Sequence, residues 1–136
     1  MVITMMEAIF RIVFAAFLSF FLGLDRERRG KPAGLRTMLL VGTGAALFTV
    51  VSIYGFPGSD PSRVASNIVT GVGFLGAGTI LRVKEKERIL GLTTAATIWY
   101  VAAVGTLVGV GMYAEAVVAT ILGWLILESK QWGLPF

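Results

Sequence analysis

The sequence predicts an all-α, polytopic membrane protein with about five transmembrane helices in a glycine-packed bundle. Three observations predict it. Hydrophobic residues make up 56% of the 136 residues and charged residues only 15%, against about 25% charged in ordinary globular domains. A water-soluble chain this small has too much surface for its volume to hide that much apolar side chain. Long runs free of charge recur, and the basic residues gather almost wholly in two connections and a tail.

A helix crossing a hydrocarbon layer of about 30 Å needs about 20 mostly apolar residues. The first span is expected at 8–24, where Ala8 to Leu24 carries only Arg11. Its leading segment holds Glu7, and it runs into DRERR with no small-residue cleavage site, so it reads as a span and not a cleavable signal. Charge-free stretches place the second span at 37–54 and the third at 64–81. Ile89 to Leu127 is one apolar tract broken only by Glu115. At about 1.5 Å per residue it is too long for one crossing. A turn near Gly109-Val110-Gly111 divides it into spans at 92–109 and 112–127, all within a single transmembrane domain over residues 1–136.

Orientation follows from the basic residues. Arg26, Arg28, Arg29, Lys31 and Arg36 follow span one, Arg82, Lys84, Lys86 and Arg88 follow span three, and Lys130 lies in the tail. All fall on one side of a five-span arrangement, with Arg63 and Arg11 on the other. Basic loops stay cytoplasmic, which predicts an outside N-terminus and a cytoplasmic C-terminus in the inner membrane. The net charge of +4 and the pI near 9.9 then need no nucleic-acid partner. The two basic clusters also suit anionic lipid heads, but Asp25, Glu27, Glu85 and Glu87 dilute them, and topology alone is the preferred reading. With no cysteine and no histidine, disulfides, thiolate metal sites and histidine relays are excluded. No catalytic, cofactor-binding or metal-binding residue is expected.

The stretch IVTGVGFLGAGTI, residues 68–80, contains a G-x-G-x-x-G match. A dinucleotide fingerprint needs a preceding strand, a helix opening at the glycines and an acid about 20 residues later. Here the glycines lie inside a charge-free span and the downstream acids, Glu85 and Glu87, are too near. Membrane helices use glycine for close backbone approach. At about 100° per residue, Gly71 and Gly78 share one face and Gly73 and Gly76 the opposite one. The third span is therefore expected to be the central, wedged helix. Gly105 and Gly109 form a G-x-x-x-G and Gly42 with Ala46 a small-xxx-small pair, expected to pack within the chain, with a homodimer as the alternative.

AGLRT at 33–37 and LGLTT at 90–94 both follow a basic connection and open a span. The match suits a parallel duplication or shared helix-start chemistry. Thr37, and Thr93 or Thr94, stand where N-cap hydroxyls are wanted. Asp60-Pro61 repeats the logic at the other side, with Asp as cap and Pro at the first helical position.

Together the stretches GLDRE (23–27), AGLRT (33–37), DPSR (60–63), GVGFLGAG (71–78) and GLTTAA (91–96) resemble the MgtC/SapB family in order and spacing, over about residues 20 to 110. The resemblance implies a bacterial or archaeal membrane protein with several transmembrane helices. Some members of that family are linked to growth in low magnesium, to survival inside host cells and to control of the F-type ATP synthase. No enzymatic activity is established for it and its transport role is disputed. The resemblance therefore implies a non-enzymatic modulator tied to magnesium homeostasis, with a transporter of Mg²⁺ or another small ion as the alternative. Many relatives have glutamate at the position of Asp25, and many carry a soluble C-terminal domain, which is not expected within these 136 residues.

The candidate functional polar residues are Asp25, Arg26 and Glu27 at the end of span one, Arg36 at the start of span two, and Asn67 and Thr70 in span three. Asp25 is expected to pair with Arg36 and organise the cytoplasmic mouth of the bundle. Asn67 and Thr70 are expected to be interhelical hydrogen-bond glue, or else the lining of a substrate path. Arg11 follows Glu7 by four residues, the spacing of a helical ion pair, with Glu115 a second possible partner. Mg²⁺ takes oxygen ligands and leans on carboxylates, and no acidic pair occurs at mid-membrane. The expected partners are membrane lipids, a second copy of the chain and another membrane protein.

Overall fold

A computed structural model describes residues 3–83 and 88–129. Five helices follow one another: α1 (Met5–Arg28), α2 (Leu35–Tyr54), α3 (Ser62–Ala77), α4 (Leu92–Val110) and α5 (Tyr113–Glu128). Between α3 and α4 the chain makes a two-stranded antiparallel hairpin, β1 (Leu81–Val83) with β2 (Arg88–Leu90), in register Leu81 to Leu90 and Val83 to Arg88. This short hairpin is a connection within an otherwise all-helical chain. Of the second basic cluster, Lys84, Lys86, Glu85 and Glu87 lie outside the described residues, as does Lys130.

α1, α2 and α4 are long and apolar enough to cross a membrane. Exposed apolar side chains cover their outward faces, with Leu40 73% and Phe74 on α3 80% exposed. Such faces would be an aggregation liability in water.

The expectation that the third span is central does not hold. α4 packs against all four other helices, and α2 against α1, α3 and α4, whereas α3 rests mainly on α2 and α4. The core lies among α1, α2 and α4, built from Leu18 and Leu22, Met38, and Ile98, Val101, Val104 and Val108. A smaller cluster of Ala45, Ile68 and Ala102 seats α3. α3 also stops at Ala77, short of the expected boundary at 81. Gly78 follows it, and the Thr79 hydroxyl donates to the Gly76 carbonyl at 2.8 Å, ending the helix.

Glycines decide how closely the central helices approach. A Cβ placed at Gly105 would lie 2.1 Å from the Gly42 carbonyl oxygen, and one at Gly42 would lie 1.8 Å from Ser19 Oγ. One at Gly109 would meet Thr49 Cβ at 2.6 Å. α2 and α4 therefore meet backbone to backbone at Gly42 and Gly105, while α1 reaches the same point through the Ser19 side chain, and close approach of this kind suits packing between membrane helices. By contrast, nothing lies within 4 Å of a Cβ at Gly71 or Gly73, and one at Gly78 would meet only its own helix. Gly76 alone of the four faces a neighbour, with the Ala95 carbonyl 3.4 Å away. The expected two-sided wedge is thus replaced by one contact to α4 and an open face, because the approach to α2 runs through Ile68 and Ala45.

The N-caps differ from those expected. α2 opens at Gly34 and α4 at Gly91, so Thr37, Thr93 and Thr94 all fall within the first turns. Gly91 has φ +88, which disfavours a side chain, and a Cβ there would stand 1.9 Å from the Thr79 carbonyl oxygen. Gly34 is extended instead. The two G-L-x-T segments share a place in the fold but not a backbone conformation.

Candidate functional site

Among the described residues the buried charged groups lie at the two ends of the bundle. At the basic end, the last turn of α1 presents Asp25 and Arg26 inward, 7% and 3% exposed. Asp25 Oδ1 accepts from Arg29 Nε at 2.6 Å. Arg29 also forms an ion pair with Glu128 at 3.0 Å, without hydrogen-bond alignment, joining α1 to the end of α5. The expected Asp25–Arg36 pair is not formed. Arg29 lies four residues after Asp25, the spacing at which helical side chains meet, and Arg36 is exposed.

Arg26 turns the other way and donates to Thr94 Oγ1 at 2.5 Å, tying α1 to the first turn of α4. Glu27 is exposed and reaches across the connection, where Oε2 accepts the Leu35 N–H at 2.8 Å. It thereby does for α2 what an N-cap side chain does, placing a carboxylate on unsatisfied N–H groups at the positive end of the helix. A Cβ at Gly34 would fall 2.0 Å from that same Oε2, which is why the AGLRT segment has glycine there.

At the far end Arg11, 5% exposed, donates from NH1 to the Gly109 carbonyl at 2.7 Å and pairs with Glu7. Its guanidinium stands 5.4 Å from the centre of the Tyr54 ring, within cation–π reach. Arg11 thus neutralises the carbonyl end of α4 just before the turn at Gly111, whose φ is +101. Among the described residues Glu115 makes no ion pair.

Asn67 and Thr70 are exposed and bond to their own helix. Asn67 Nδ2 donates to the Arg63 carbonyl at 2.8 Å and the Thr70 hydroxyl to the Ser66 carbonyl at 3.2 Å. Neither bridges helices. Asn67 does line an open groove of about 560 Å³ between α2 and α3, with Leu40, Gly44, Phe48, Gly71 and Leu75 among the other walls.

Among the described residues five side-chain polar atoms are buried without a hydrogen-bond partner: Arg11 Nε, Ser19 Oγ, Asp25 Oδ2, Arg26 Nε and Arg29 NH2. The three arginines and Asp25 are held through another atom. Ser19 is not, and an unpaired buried hydroxyl costs about 1–3 kcal/mol. Among the described residues no three of His, Cys, Asp and Glu gather as a metal site would require. Sequence reasoning missed Thr94 as the Arg26 partner and Glu128 as the second Arg29 partner. The Asp25–Arg29 spacing was a usable signal; the cross-chain partners left none.

A family model described as the MgtC family matches residues 12–133. The chain is 48% identical over 130 residues to a protein of Escherichia coli strain K12 named "Putative magnesium transporter YhiD", covering 90% of this chain and 60% of that one. It is 47% identical over 116 residues to an uncharacterized protein of Synechocystis, covering 85% and 49%. It is 45% identical over 118 residues to protein MgtC of Salmonella typhimurium, covering 87% and 50%. The chain thus spans between about half and 60% of the length of these curated relatives. No solved structure matches.

Proposed function

The chain belongs to the MgtC family, and we propose that it is a non-enzymatic membrane modulator tied to magnesium homeostasis. In this reading it lies in the inner membrane with all five helices crossing, the N-terminus outside and the basic end cytoplasmic. α3 and α5, at 16 residues each, span about 24 Å. They reach across a layer of about 30 Å with their flanking residues and local thinning. The working unit is a homo-oligomer that acts on another membrane protein, with no nucleic acid involved.

The observation that supports a modulator is the closed crossing at the centre. With Gly105 against the Gly42 carbonyl and Gly109 against Thr49, the space between α2 and α4 is filled by backbone. The inward-facing charges at the ends are spent on bonds that tie helices together. An ion path would need polar oxygens directed along it. The name of the Escherichia coli relative favours a second reading, transport of Mg²⁺.

Uptake of Mg²⁺ into proteoliposomes separates the two. The modulator reading expects wild-type uptake equal to that of protein-free vesicles. Uptake above that level, abolished in Gly105→Leu, would replace it with transport.

A further inference from the structure

We propose that the groove between α2 and α3 holds one acyl chain of an anionic phospholipid whose phosphate sits on Arg36. In sequence, the two acids of the DRERRGK connection offset half of its four bases. In the structure both of its acids are engaged, Asp25 with Arg29 and Glu27 with the Leu35 N–H. Arg28, Lys31 and Arg36 are left exposed, and none of their side chains makes an ion pair or hydrogen bond with the described residues. The exposed side chains at this end of the bundle are therefore mostly basic, at the level where headgroups lie.

Arg36 is set apart from the other two by its position. It lies on the same i, i+4 row of α2 as Leu40, Gly44 and Phe48, and those three residues form one wall of the groove. Gly71 and Leu75 of α3 stand opposite. A bare glycine stands in each wall of the slot, and a Cβ at Gly44 or Gly71 would meet nothing within 4 Å. From Leu40 to Phe48 the helix rises about 12 Å, near the depth of one hydrocarbon leaflet, about 15 Å. An apolar slot one leaflet deep with an unpaired guanidinium one turn beyond its mouth fits a lipid tail with an anionic head. A second copy fits it less well. Seated in this groove in the same orientation, it would bring its own basic end onto Arg36, where like charges oppose association, so the homo-oligomer proposed above uses another face.

The test reconstitutes the full chain in nanodiscs of phosphatidylcholine with a minor fraction of phosphatidylglycerol, releases it into mild detergent and counts retained lipid by native mass spectrometry. The wild-type chain is expected to keep one phosphatidylglycerol. Arg36→Gln should lower its retention relative to phosphatidylcholine by about fivefold, and Lys31→Gln should retain it as the wild type does. Gly44→Leu should abolish retention of both lipids while keeping wild-type thermal stability in lipid-free detergent. Gly71→Leu, on the opposite wall, gives the same readout if the first variant does not fold. Wild-type retention in Arg36→Gln would overturn the proposal, as would equal loss in Lys31→Gln, which would mean diffuse charge. Unchanged lipid with an altered number of chains in Gly44→Leu would also overturn it and assign the groove to a second copy.

Discussion

Gly105 and Gly71 are the same residue in the middle of two apolar helices, yet their surroundings are opposite. A side chain at Gly105 would collide with the backbone of α2, while one at Gly71 would enter open space. The α2–α4 crossing is where the fold is fixed, and the outer face of α3 is where the chain has something left to offer the bilayer. A small residue in a membrane helix announces a close approach without saying from which side, or whether the partner belongs to the same chain. The difference can be attacked by substitution at several depths.

Gly42→Leu should have the largest effect, because the new side chain would strike Ser19 Oγ and crowd Val101. Overpacking of this kind costs about 1–3 kcal/mol and occasionally more. Reversible unfolding in bicelles should therefore show either a loss of that size or no folded protein. Wild-type stability would mean that α1 and α2 do not meet there.

Arg11→Met comes next. It keeps the stem but removes the bond to the Gly109 carbonyl and the pair with Glu7. Hydrogen bonds to charged groups are worth about 1.5–3 kcal/mol, and the same unfolding assay should report about 2 kcal/mol. A loss below about 0.5 kcal/mol would show that the far end is not held by this side chain.

The smallest effect belongs to the open side. Asp60 Oδ1 accepts the Ser62 N–H at 2.8 Å, and hydrogen bonds from Ser62 hold its carboxyl below the usual carboxylate range. Its contribution is therefore present above the unfolded value, about 3.9, and is lost as pH falls through the lower folded value. Hydrogen exchange at the start of α3 should speed up over that acid range in the wild type and show a flatter profile in Asp60→Asn. Pro61, not Asp60 as expected, holds the N-cap position of α3, and identical profiles would remove the Asp60–Ser62 bond as a support for the start of that helix.

Much of the fold was legible because the bilayer imposes it. Charge-free runs announced helices, DRERR and the basic residues after β1 marked connections, and Gly109-Val110-Gly111 marked the last turn. The Glu7–Arg11 pair was legible because four residues on a helix are a local matter. The α1–α4 bond between Arg26 and Thr94 was not, since periodicity places a side chain on a face and does not name the helix opposite. The GVGFLGAG stretch misled for a related reason. Its density of glycine suggested a crowded helix, whereas only Gly76 meets a neighbour, and the closest approach belongs to the sparser pair of Gly42 and Gly105. The pairing of Asp25 turned on Arg29, which competes with Arg36 at shorter range.

The most direct test of this contrast is the difference in unfolding free energy between Gly105→Leu and Gly71→Leu, each in the full chain in phosphatidylcholine bilayers. The structure predicts a loss of about 1–3 kcal/mol for Gly105→Leu, comparable to that for Gly42→Leu, and a change within about 0.5 kcal/mol for Gly71→Leu. Equal losses in the two variants would contradict it, placing α3 in a packed interior and leaving the chain without an open face.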